Sequence, residues 1–157
     1  MNIFELIITA IVSTSVMTLF SYRYARARSS QFKEPELLNL LVKNSGIIPL
    51  SPSKKNILGW ILHYAIGFFF VLIFEILLST GIVDFSLVIC VVYGIVIGVI
   101  GVCSWLFMFS LNNDPPKIRF SEFYVHLLLA HLFFAVSMGL MYILIASITN
   151  NTVIIMR

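Results

Sequence analysis

Four stretches of this chain, about Ile3 to Tyr22, Ile57 to Thr80, Phe85 to Leu111 and Glu122 to Thr149, are long and apolar enough to cross a membrane. The hydrocarbon layer is roughly 30 Å thick and takes about 20 apolar residues in a helix. A segment in hydrocarbon must satisfy its own backbone polar groups, and the helix is how one segment does so. The expected fold is an all-α membrane protein, a four-transmembrane-helix bundle forming a single membrane domain over residues 1–157. Composition agrees: 60% of residues are hydrophobic and 11% charged, against roughly 45–50% and about 25% in soluble domains. No soluble domain remains to house conventional enzymology.

The flanks of these stretches predict their limits. Glu5 lies at the front of the first and Arg23, Arg26 and Arg28 follow it, the reverse of a cleaved signal peptide, so it reads as a retained anchor. Ser51 and Pro52 suit an N-cap and first helical position for the second span, Gly81 its end, and Asp84 the cap of the third. Asn112, Asn113, Asp114, Pro115 and Pro116 terminate the third. Ser121 suits the cap of the fourth, with Glu122 in its first turn and Phe120 stapled onto Val125.

All but one of the ten lysines and arginines lie between Arg23 and Lys55 or at Lys117 and Arg119, leaving Arg157 for the other side. The positive-inside rule then gives a multi-pass cell-membrane protein with cytoplasmic basic loops and both termini outside. The net charge of +3 sits beside apolar spans, which points to anionic lipid headgroups and away from nucleic acid. Within the first loop, Glu34 to Asn44 reads as a short amphipathic helix, about residues 35–45, with Pro35 first and Gly46 beyond its end. Leu37, Leu38, Leu40, Leu41 and Val42 make it too apolar for free solvent. It is expected to rest on the inner membrane surface or to dock a partner protein.

Close approach of helices in lipid depends on small residues. Gly94, Gly98 and Gly101 form such a face on the third span. Gly59 and Gly67 flank His63 on the second, and Ala135 and Gly139 continue the stripe from His131 on the fourth, so these histidines are expected to point inward. Ionisable residues inside a membrane are expensive and are candidates for function. His63 and His126 have similar depth on helices running in the same direction, a placement that suits a shared metal ion or a haem. No third zinc ligand accompanies them, so no cofactor is the default expectation. His131 lies deeper and is expected to meet Ser13, Thr14 or Thr18 on the polar first helix. Glu75 lies near the outer end of the second span, either sharing an outer mouth with Glu5, where a cation could bridge them, or paired with a hydroxyl such as Tyr142. Cys90 and Cys103 read as packing residues.

The segments Phe32-Lys33-Glu34-Pro35-Glu36-Leu37-Leu38-Asn39 and Gly59-Trp60-Ile61-Leu62-His63-Tyr64 resemble those of small four-span bacterial inner-membrane proteins of uncharacterised function. That resemblance implies a location and no activity. The chain also resembles small multidrug exporters in its four short helices, but Glu5 stands at a helix edge and the first loop is long. Three roles follow in order. The first is a noncatalytic accessory or assembly subunit, meeting a membrane protein or another copy through its glycine faces and surface helix. The second is a small transporter or channel with a polar path near Glu75 and His131, and the third a haem or metal protein using His63 and His126.

Overall fold

The computed structural model describes residues 1–28, 32–44, 50–112 and 114–149. Among these residues five helices follow one another: α1 Ile3–Ala27, α2 Glu34–Asn44, α3 Ile57–Ser79, α4 Leu87–Ser110 and α5 Phe120–Thr149. No strand occurs among the described residues. All but α2 are long and apolar enough to span a membrane. The fold is a four-helix membrane bundle with a short fifth helix in the first loop. Its outward face is apolar, with Ile57, Val88 and Ile148 about 70% exposed, while Thr9, Ser13, Thr14, Ser21 and His126 are fully buried. Such a surface suits lipid as its solvent.

The helix ends show which local groups win. Asn2 caps α1 in a reciprocal box with Glu5, both bonds 2.9 Å, and the helix runs on past Tyr22 through the arginine-bearing turn. Ser51 and Pro52 do not start α3. A turn closed by Asn56 N–H on the Ser53 carbonyl, 2.9 Å, intervenes, and Asn56 becomes the cap, accepting from Leu58 N–H at 2.9 Å. Gly81, at φ +72°, ends α3. Its N–H bonds the Leu78 carbonyl while Ile82 N–H reaches back to Leu77, each at 3.1 Å; this is a Schellman closure, which favours glycine. Ser86, not Asp84, caps α4 by accepting from Ile89 N–H at 3.1 Å. In α5 the Arg119 carbonyl already accepts from Phe123 N–H at 2.9 Å, so Ser121 falls inside the first turn. Gly46, Asn113 and Arg157 lie outside the described residues.

Around the bundle α4 packs on α5, α5 on α1 and α1 on α3. Consecutive helices α3 and α4 stand apart, bridged by the Tyr93 hydroxyl donating to the Phe70 carbonyl at 2.7 Å. The glycine face is used within the chain. A Cβ on Gly94 would come 2.8 Å from Ala135 Cβ, and one on Gly98 2.9 Å from a Leu128 methyl, both on α5. Gly139 receives Cys90 in the same interface.

The apolar face of α2 turns to the protein instead of to lipid: Leu37, Leu38 and Leu41 are buried, and Leu37 fully so. The link to α3 is polar and specific. Asn39 Nδ2 donates to the carbonyls of Asn56 (2.7 Å) and Lys54 (3.1 Å), and its Oδ1 accepts from Gly59 N–H at 2.9 Å. Asn39 thereby satisfies an amide that the first turn of α3 leaves without a partner in its own helix. Gly59 permits the contact, since a Cβ there would lie 2.0 Å from the Pro35 carbonyl oxygen. Glu36 adds ion pairs to Lys33 at 3.3 Å and Lys54 at 3.4 Å. Gly59→Ala and Asn39→Leu are each expected to cost about 1–3 kcal/mol, by overpacking in the first case and by stranding polar groups in the second. Both should lower the thermal unfolding midpoint in detergent and expose the first loop to protease. An unchanged midpoint in both would show that α2 is not docked in this way.

Candidate functional site in the cleft between α3 and α4

Where α3 and α4 part, a cavity of about 350 Å³ opens. His63, Gly67 and Phe70 of α3 face Ile100, Ser104 and Trp105 of α4 across it. Met17 of α1 and His131 and Phe134 of α5 line it too, and Glu34 and Leu38 of α2 line the end nearest the basic loops. At Phe70 and Ile100 it meets a second groove of about 310 Å³, walled by apolar residues such as Ile73, Leu77, Val92 and Val96. The rims are lipid-facing, with Phe69 57%, Ile66 45% and Ile100 49% exposed.

Glu34 is the least expected residue here. It is 2% exposed, and Ser21 of α1 donates to its Oε1 at 2.7 Å. Its Oε2 is buried without a hydrogen-bond partner among the described residues. Burial is the main influence on it and pushes its pKa from 4.5 to about 7, against smaller opposing effects of the Ser21 bond and its own backbone amide. No lysine or arginine contributes to that balance.

The histidines supply hydrogen-bond acceptors. The Thr18 hydroxyl donates its proton to the Thr14 carbonyl at 2.7 Å. Its 3.0 Å bond to His63 Nε2 therefore has the ring N–H as donor, and in the neutral ring Nδ1 is a bare acceptor. His131 Nδ1 lies 2.8 Å from the Leu127 carbonyl, which only accepts, so its Nε2 is the acceptor. That edge of the His131 ring turns toward Gly101, where a Cβ would lie 2.9 Å from Cε1.

The remaining candidates are distributed elsewhere. Thr18 meets His63 and not His131, whose Nδ1 bonds back to its own helix. Thr9, Ser13 and Thr14 are buried with hydroxyls that have no partner among the described residues, and Thr14 Oγ1 sits over Gly67. His126 does not join His63. It is fully buried among the rings of Tyr24 (4.9 Å), Phe32 (5.4 Å), Phe20 (5.5 Å) and Phe123 (6.3 Å), and α1 packs between α3 and α5. Among the described residues no three His, Cys, Asp or Glu side chains gather as metal ligands. At the far end Tyr142 donates to Glu75 Oε2 at 2.8 Å and the Met1 amino group contacts Oε1. Glu5 is engaged in the α1 cap, and no contact joins it to Glu75 among the described residues.

Glu34 is not among the candidates the sequence singles out, because its helix reads as one resting on the inner membrane surface. The signal was present: Glu34, Leu37, Leu38 and Leu41 fall at i, i+3, i+4 and i+7, which puts the carboxylate on the apolar stripe. No family model matches the chain, and no curated protein or solved structure is similar to it.

Glu34 gives a signed pH dependence. Its folded value, about 7, lies above its ordinary value of 4.5, so between these limits the folded protein holds a proton that the unfolded chain releases. Stability should be greatest below that window, fall as pH rises through it and level off above, by on the order of 3 kcal/mol in all. Glu34→Gln should remove this component and raise the unfolding midpoint at neutral pH. A slope that persists unchanged in the variant would assign it to another group.

Proposed function

We propose that this protein takes a bilayer-dissolved amphiphile into the cleft between α3 and α4, acting as a small noncatalytic carrier or transporter. The supporting observation is Glu34, a buried carboxylate without a basic partner, at the end of an apolar groove that opens toward lipid. A group of that kind is costly unless protonated or paired, and at about 7 it exchanges its proton near neutrality. The positive-inside rule supports a cell-membrane location with Glu34 at the cytoplasmic end of the groove and both termini outside. Cavities of roughly 300–1,000 Å³ with a few polar groups are ordinary for small-ligand sites.

Of the features behind the accessory-subunit reading, Gly94, Gly98 and Gly139 are covered by helices of the same chain, and so is the leucine face of α2. Those behind a haem or metal role, His63 and His126, occupy separate surroundings. A transport role is better served by the cleft than by Glu75, which Tyr142 already holds.

The test uses the protein in lipid vesicles with a trace of an alkyl-chain probe carrying a photoactivatable diazirine, followed by peptide mapping. Labelling is expected at Trp105 and Phe134, which are 6% and 1% exposed and beyond the reach of bulk lipid. Ser104→Phe, which fills the cleft, should suppress it. Labelling confined to the exposed apolar residues of all four long helices would overturn the proposal.

A further inference from the structure

The chemistry of the cleft restricts what head group its occupant carries. Beside the Ser104 hydroxyl, whose proton goes to the Ile100 carbonyl at 2.8 Å, and the Trp105 indole N–H, the lining of the inner cavity offers three further polar atoms: Glu34 Oε2, His63 Nδ1 and His131 Nε2. As a carboxylate and two neutral rings all three are acceptors, with their donors already used on Thr18 and Leu127. An anionic head would set negative charge against lone pairs. A hydroxyl brings a single donor and leaves the carboxylate charge uncompensated. A primary ammonium brings three donors and the opposite charge, and charge-assisted hydrogen bonds are about twice as strong as neutral ones.

The rest of the groove describes the tail. From Ile89 to Met108 the two cavities follow α4 for about 29 Å at the helical rise per residue, close to the thickness of the hydrocarbon layer. Their volumes, about 350 and 310 Å³, are at the small end for ligand sites and suit one chain instead of the pair in a diacyl lipid.

We infer that the occupant is a single-chain amphiphile with a protonated primary amine as its head, and that Glu34 is the counter-charge that receives it. The inference rests on the proposed cleft-binding function. The ammonium enters as a cation and the Glu34 proton leaves to water at the basic end, so no bond other than O–H is broken. Glu34 exchanges a proton for a cation in this way only where both compete for it. The titratable groups around it are Tyr22 on α1, Lys33 and Glu36 on α2 with Lys54 just ahead of α3, and His63 on α3 and His131 on α5, which line the same cavity. Lys33 is engaged with Glu36 at 3.3 Å and stands over the Tyr22 ring at 5.0 Å, and α4 presents no titratable side chain to the cavity.

Trp105 lines the cavity and is one of two tryptophans, so Trp60→Phe makes it the sole reporter. Quenching of Trp105 is measured in vesicles with three chain-brominated probes of equal length: an alkylamine, the matching alcohol and the matching fatty acid. The amine is expected to bind about tenfold or more tightly than the other two at neutral pH. That preference should vanish in Glu34→Gln and weaken as pH falls below the Glu34 transition. If the alcohol or the acid binds as well as the amine, or if Glu34→Gln keeps the preference, the head-group inference is overturned while the cleft reading stands. Failure of all three probes to quench Trp105 beyond a brominated diacyl lipid overturns the cleft reading and the inference with it.

Discussion

The docking of α2 combines its buried leucine face with one polar anchor. Asn39 closes three hydrogen bonds onto the start of α3, and the glycine at 59 lets the two backbones touch. Were α2 lying free on the membrane surface, Glu34 would be an ordinary solvated carboxylate. Fastened beneath the bundle, the same helix carries it into the wall of a lipid-facing cavity, and its proton affinity rises because water is excluded. The unusual chemistry of the site is thus a consequence of a short-range capping contact between two helices.

Around that contact the bundle follows the logic of a protein dissolved in hydrocarbon. Apolar side chains gain nothing by hiding from lipid, so what settles inside is whatever packs closely or needs a polar partner. Gly94 and Gly98 bring α4 against α5; hydroxyls of α1 sit between helices; Thr18 orients His63; Tyr142 holds Glu75. The same account explains why α3 and α4 can stand apart. An apolar cleft facing lipid carries no hydrophobic penalty of the kind it would have in water.

The architecture was legible because the membrane restricts it so strongly. Span length and the proline, asparagine and glycine signals located each helix, and the end of α3 at Gly81 followed from one residue type. The caps were less legible. Asn56 and Ser86 displaced Ser51 and Asp84 because competing side chains a few residues apart are all competent N-caps, and the tertiary arrangement decides among them. The site was least legible. His63 and His131 were singled out for their cost in lipid, but the partner of Thr18 depended on rotation about helix axes, which spacing alone leaves open. Glu34 was hidden by location: a carboxylate outside the spans looks inexpensive until a neighbouring helix covers it, and the covering depends on Asn39 and Gly59 meeting across a loop.

The most direct test of this account is the protonation state of Glu34 itself, read by infrared difference spectroscopy of the wild-type protein against Glu34→Gln in lipid, in H₂O and D₂O. The account predicts a protonated-carboxyl band, absent from the variant, that disappears as pH rises through about 7. A Glu34 signal already that of a carboxylate at pH values near 5, the behaviour of a solvated side chain, would contradict it.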